Sequence, residues 1–173
     1  MDILENSGHW SNAFNNGWLK HLQETGKVDW STYKHPANEN SPTGSGVDLA
    51  ASRLLLVTSS GAYLKDHQSR FDTDDLVGDY TFRILPTQVS ANDLGYAHGH
   101  YDDTMIRQDL QVGIPVRHLN NLVREGKLGS LTSSSASFMG YQPDSAKVAS
   151  EMAPLLLDFA KEQGASAALF APL

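Results

Sequence analysis

The chain has 173 residues, 40% of them apolar, a formal net charge of −7 and no cysteine. That length holds one ordinary domain with a proper core, and the missing cysteine excludes disulfides, thiolate metal sites and thiol chemistry by these residues alone. An acidic balance without a Lys/Arg cluster argues against nucleic acid as a partner, and no apolar window or basic-then-apolar leader points to a membrane, so a cytoplasmic location is expected by default.

Residues 1–46 read as an irregular N-terminal arm, and residues 47–173 as the domain proper. In the arm, Trp10, Phe14, Trp18, Leu19 and Leu22 fit one short amphipathic helix stopped near Gly26. His35 with Pro36, and residues 40–46, read as loop. Trp10, Trp18 and Trp30 lie in an otherwise polar stretch, which reads first as plain packing and second as docking onto the body or onto a neighbouring subunit.

The apolar run at 53–57, ending in Thr58, Ser59, Ser60 and Gly61, predicts a buried parallel strand. Residues 81–85 and 94–97 read as further strands. Val116, Leu119, Leu122 and Val123 fit a helical face closed by Gly126. Asp144 is placed to cap a longer helix with a buried stripe of Val148, Met152, Leu155, Leu156 and Phe159, ending at Gly164. Pro154 should kink or divide it. Residues 167–171 then look like a final buried strand. Alternation of strands and helices predicts an α/β three-layer sandwich with a mostly parallel sheet.

Acids, imidazoles and an arginine concentrate between Gly78 and Asp109. Strand-like residues lead into His98 and His100, whose i, i+2 spacing predicts projection from one face, with Asp102 joining if the chain stays extended. Two imidazoles and a carboxylate can hold a divalent metal. They can equally do acid–base work, or form a structural hydrogen-bond cluster. Tyr101 lies between them. The turn of Ser59, Ser60 and Gly61 offers hydroxyls and backbone N–H groups to a carboxylate or phosphate. Arg83 is placed either to clamp a substrate carboxylate or to pair with Asp79 and fix a loop. The hydroxyl-rich stretch 130–137, followed by Phe138, Met139, Gly140 and Tyr141, either lines a cleft or carries no function. No nucleophile elbow, phosphate loop or dinucleotide fingerprint is present.

Six landmarks recur in a fixed order: LLVTSSG at 55–61, GDYTFRILP at 78–86, HGHYD at 98–102, PVRHL at 115–119, EGKLGS at 125–130 and FMGY at 138–141. Together they resemble the selenoprotein B family of glycine, sarcosine, betaine and D-proline reductases, over roughly residue 53 to the C-terminus. The resemblance implies reductive cleavage of a carbon–nitrogen bond by a selenocysteine or cysteine that follows the strand read here at 168–173. This sequence stops before that position and contains no cysteine elsewhere.

Two expectations follow from the resemblance. In the first, the chain is a reductase subunit, completed by a partner or a further segment that supplies the selenol or thiol. His98, His100 and Asp102 then orient substrate or manage protons, and Ser59, Ser60 and Arg83 hold the carboxylate of a small molecule. In the second, the same scaffold carries a redox-free lyase, isomerase or hydrolase using the His/Asp cluster, with or without a metal, or serves as a noncatalytic partner subunit. Either way, a short chain with an uncovered sheet predicts a homo-oligomer or a hetero-complex.

Overall fold

The computed structural model describes residues 4–40, 44–99 and 101–173. In chain order the elements are α1 (Ser7–Ala13) and α2 (Lys20–Thr25), joined by a π-helical stretch at Phe14–Leu19, then β1 (Arg53–Thr58), β2 (Ala62–Leu64), β3 (Phe82–Pro86) and β4 (Leu94–Tyr96). There follow α3 (Thr104–Gln108), α4 (Val116–Arg124), β5 (Ser130–Leu131), β6 (Ser134–Phe138), α5 (Ser145–Lys147), α6 (Ala153–Glu162) and β7 (Ala167–Ala171).

The sheet is organised by β1. Its residues from Leu54 to Thr58 pair in parallel with β7, from Leu54↔Ala167 to Thr58↔Ala171. On its other side β5 pairs with Arg53 and Leu54, and β6 with Val57 and Thr58, both in parallel. β3 closes the far side, antiparallel to β6. The sheet is therefore mostly parallel, as the sequence predicts.

Alternation along β1 divides its side chains between two layers. Leu54 and Leu56 pack with Ile114, Val116 and Leu119 around α4, and with Ala62 and Leu94 of a small β2–β4 sheet. Leu55 and Val57 pack with Ala136 and Phe159 under α6. Layers on both faces of a mostly parallel sheet make the α/β sandwich.

The helical run after β6 begins where Asp144 accepts the Lys147 amide at 3.0 Å. Pro154 changes the winding of the run without breaking it: a π-helical stretch at Val148–Met152 leads directly into α6, and proline sits in the first turn of α6. In the arm, Phe14, Trp18 and Leu22 form a separate cluster with Val77, and Tyr33 Oη donates to the Pro143 carbonyl at 2.8 Å. Trp30 stacks on Trp18 and meets Tyr141 edge-on.

Four expectations need correction. The strand expected at 94–97 ends at Tyr96 and belongs to the two-stranded antiparallel sheet, so the segment holding His98 is not an extension of the main sheet. β6 was not anticipated, because three of its five residues are serine and only Phe138 favours a strand. Its position between β1 and β3 comes from pairing on both sides. The helical stripes are narrower than expected, since Leu155 and Leu122 face solvent. Finally, β7 is not a buried strand: it pairs with β1 alone among the described residues, and Phe170 is 61% exposed.

Candidate active site

The carboxyl ends of β1, β6 and β7 meet in one place, where open α/β sheets position ligands. From β1 the chain passes through Thr58, Ser59 and Ser60, all buried, into Gly61. Gly61 has φ 65 and a Cβ there would collide with the Ala97 carbonyl, so a residue with a side chain fits neither the backbone nor the space. Its N–H donates to Phe138 O at 2.8 Å, and its own carbonyl accepts the Ala97 amide at 2.9 Å. This turn therefore fastens the ends of β1 and β6 to the segment carrying His98.

Every amide of the turn is engaged within the protein. Ser59 N donates to Ala171 O at 3.2 Å, Ser60 N to Thr58 Oγ1 at 3.2 Å, and Gly61 N to Phe138 O. Ser59 Oγ is occupied as well, accepting Leu173 N at 2.9 Å. The expected backbone nest for an anion is thus already filled by the protein. Ser60 Oγ differs: it is buried with no hydrogen-bond partner among the described residues. Such a hydroxyl is costly to leave unmatched, and functional sites are where that cost is tolerated.

His98 and Tyr101 face this turn. Their rings meet edge to face with centroids 4.6 Å apart, and Tyr101 Oη donates to Ser60 O at 2.9 Å. Burial pushes the Tyr101 phenol up to about 12, with the Asp103 charge adding to the effect and Arg107 opposing it. Tyr101 accordingly stays protonated at neutral pH as a hydrogen-bond donor. Gly140 closes the other side, because a methyl there would lie 3.1 Å from His98 Nε2 and 3.3 Å from Ser59 Cβ. A side chain at 140 would press on both.

Asp102 does not face the group. It is exposed, and its carboxylate accepts the Thr104 amide at 3.0 Å and the Thr104 hydroxyl at 2.5 Å, at the entry to α3. Those hydrogen bonds hold its carboxyl below the usual range. The chain turns into a helix where continued extension was expected. His100 lies outside the described residues, and among the described residues no three His, Asp or Glu side chains are grouped to hold a metal.

Asp79 and Arg83 form a different unit. Arg83 donates to Ser69 O at 2.9 Å, Thr81 Oγ1 at 2.7 Å and Arg70 O at 3.4 Å, and lies 4.0 Å from Asp79. Burial pushes the Asp79 carboxyl up, but hydrogen bonds from Thr81 and Asp72 and the Arg83 charge outweigh it and leave the group below the usual range. Arg83 also stacks on Phe71, 4.2 Å from the ring centre, and Phe71 packs with Ala97 and Met139. The guanidinium is therefore one packing layer behind the His98 group. The sequence left Met139 and Gly140 between lining a cleft and carrying no function, and gave no signal for Leu173, whose importance is positional.

These strand ends lie where open α/β sheets position ligands, and comparisons with known proteins show the family of the chain. The profile of the glycine/sarcosine/betaine reductase selenoprotein B family matches residues 22–171, and the chain belongs to that family. The D-proline reductase subunit gamma of Acetoanaerobium sticklandii is 32% identical over 122 residues, covering 70% of this chain and 49% of that protein. The chain thus spans about half the length of this relative. No solved structure matches it.

Proposed function

We propose that the chain is a subunit of a reductase that cleaves a carbon–nitrogen bond in a small amino acid or betaine, with the redox selenol or thiol supplied from outside these residues. The observation that carries the reading is the bond from Leu173 N to Ser59 Oγ, 2.9 Å long. It fixes the chain just beyond β7 against the turn that Tyr101 and His98 face. A group following Leu173, or presented there by a partner, would meet those side chains.

The roles then follow from chemistry. Breaking a carbon–nitrogen bond leaves a basic nitrogen that needs a proton. An imidazole, with an ordinary midpoint of about 6.5, can deliver one near neutrality. His98 is assigned that task, with His100 as its candidate neighbour. Ser60 Oγ orients the substrate's carboxylate by donation, Tyr101, whose proton goes to Ser60 O, holds the turn in place, and Ser59 holds the strand end. In this reading Arg83 and Asp79 brace the loop behind Phe71, and Asp102 supports α3. The setting is cytoplasmic, in keeping with the absence of any described helix long and apolar enough to cross a membrane.

The test is dithiol-dependent cleavage of D-proline, glycine, sarcosine or betaine by the assembly purified from its source, with selenium measured in the same preparation. Turnover of one of the four, lost on His98→Ala, supports the reading. Cleavage of none of them, or an unchanged rate in the variant, defeats it.

A further inference from the structure

The outer side of β7 is unusual for a strand in a parallel sheet. Such sheets are covered on both faces, and exposed edges are normally blunted by charge, proline or a bulge. β7 reads AALFA and has none of these, and among the described residues it pairs with β1 alone. Its register gives each face an apolar residue. Ala168 and Phe170 lie beside Leu55 and Val57 on the α6 side, and Leu169 lies beside Leu56 on the other.

On the α6 side the edge continues into a groove. It has a volume of about 330 Å³, and its lining includes Phe138, Met152, Leu156, Leu157, Ala168 and Phe170. Phe170 is 61% exposed and Leu157 56% exposed. Among the described residues, no charged side chain lines it. A strand edge running into an apolar groove has the shape left when a strand and its covering helix are taken away.

We infer that this edge and groove receive a further parallel strand and an apolar helix from polypeptide outside residues 1–173, of the kind that makes up the rest of the relative's length. The length supports that occupant: the match to D-proline reductase subunit gamma takes in 49% of it, leaving about half its residues outside the match. The inference deepens the subunit reading above and relies on it for the nature of the occupant. The strand extends the sheet beyond β7, and the helix lies alongside α6 over Phe170.

Photo-crosslinking tests this directly. Benzoylphenylalanine is placed at position 170, at 157, and at exposed Leu122 on α4 as a control, in the protein expressed in its source organism. The expected products from 170 and 157, but not 122, are cross-linked peptides that align with the part of the D-proline reductase subunit gamma outside its match. Cross-links confined to residues 1–173 would mean a second copy or an open edge, and would overturn the inference. So would peptides from an unrelated protein. Because the readout is a peptide mass, the expected cross-links in an assembly without dithiol-dependent cleavage would keep this surface and defeat the reductase reading instead.

Discussion

The Arg83 brace and the His98 group were both conspicuous in the sequence, yet they are built on opposite logic. Around Arg83 the donors find partners within the same loop system: Ser69, Arg70 and Thr81 accept, and Asp79 supplies the countercharge. Around His98, the strand ends are laced through backbone amides, while Ser60 Oγ is left without a partner among the described residues. A closed set of hydrogen bonds stabilises a loop. An incomplete set at the carboxyl ends of parallel strands leaves capacity for a ligand.

The largest effect that would sharpen this contrast is on turnover. Replacing His98 by Ala should lower the kcat of the assembled reductase by about 100-fold or more, the range for losing a positioned acid or base. The urea midpoint should change little by comparison. A rate within about threefold of wild type would make His98 a packing residue and erase the distinction.

Arg83→Ala should do the reverse. Losing several hydrogen bonds from a side chain 14% exposed should cost about 1–3 kcal/mol of stability by urea titration. The kcat of the folded fraction should hold. A large loss of kcat at unchanged stability would instead return Arg83 to the role of carboxylate clamp.

What the sequence made legible follows from the kind of signal each region carries. The run at 54–57 is apolar on successive residues because both faces of β1 are buried, and such a run can be read directly. β6 could not be read, because Ser135 and Ser137 are buried through their place between two strands and not through hydrophobicity. Likewise Ser59 and Ser60 announced a polar turn, but only coordinates show that its amides are engaged and one hydroxyl is not. Asp102 was misplaced for a local reason. Thr104 offers its amide and hydroxyl two residues on, and that short-range alternative ends the extended run.

Tyr101→Phe probes the link between the two halves of the site. It removes the 2.9 Å bond to Ser60 O and should cost about 0.5–1.5 kcal/mol, with a modest rise in KM. The phenol's folded value, pushed up to about 12, lies above its unfolded value of about 10. Its contribution is therefore fully present below pH 10 and is lost as pH rises towards 12. The urea midpoint should fall less steeply across that window in the variant than in the wild type. Parallel slopes would show that Tyr101 ionises as freely in the folded protein as in the unfolded chain.

The smallest expected effect belongs to Asp102→Asn, and it is informative for that reason. The carboxylate is exposed, and an amide oxygen can still accept from Thr104, so kcat should stay within about twofold of wild type. Its folded value is depressed, so its stabilising share is present above the unfolded midpoint near 3.9 and is lost as pH falls below it. The variant should flatten the acid limb of the stability profile at its low end and leave neutral behaviour alone. If Asp102 worked with His98 as an acid–base pair, removing its charge would instead cut kcat by about 100-fold or more. That outcome would require the carboxylate to leave Thr104 and swing to the strand ends during turnover, and the segment 101–104 would then be a moving part of the site and not its fixed wall.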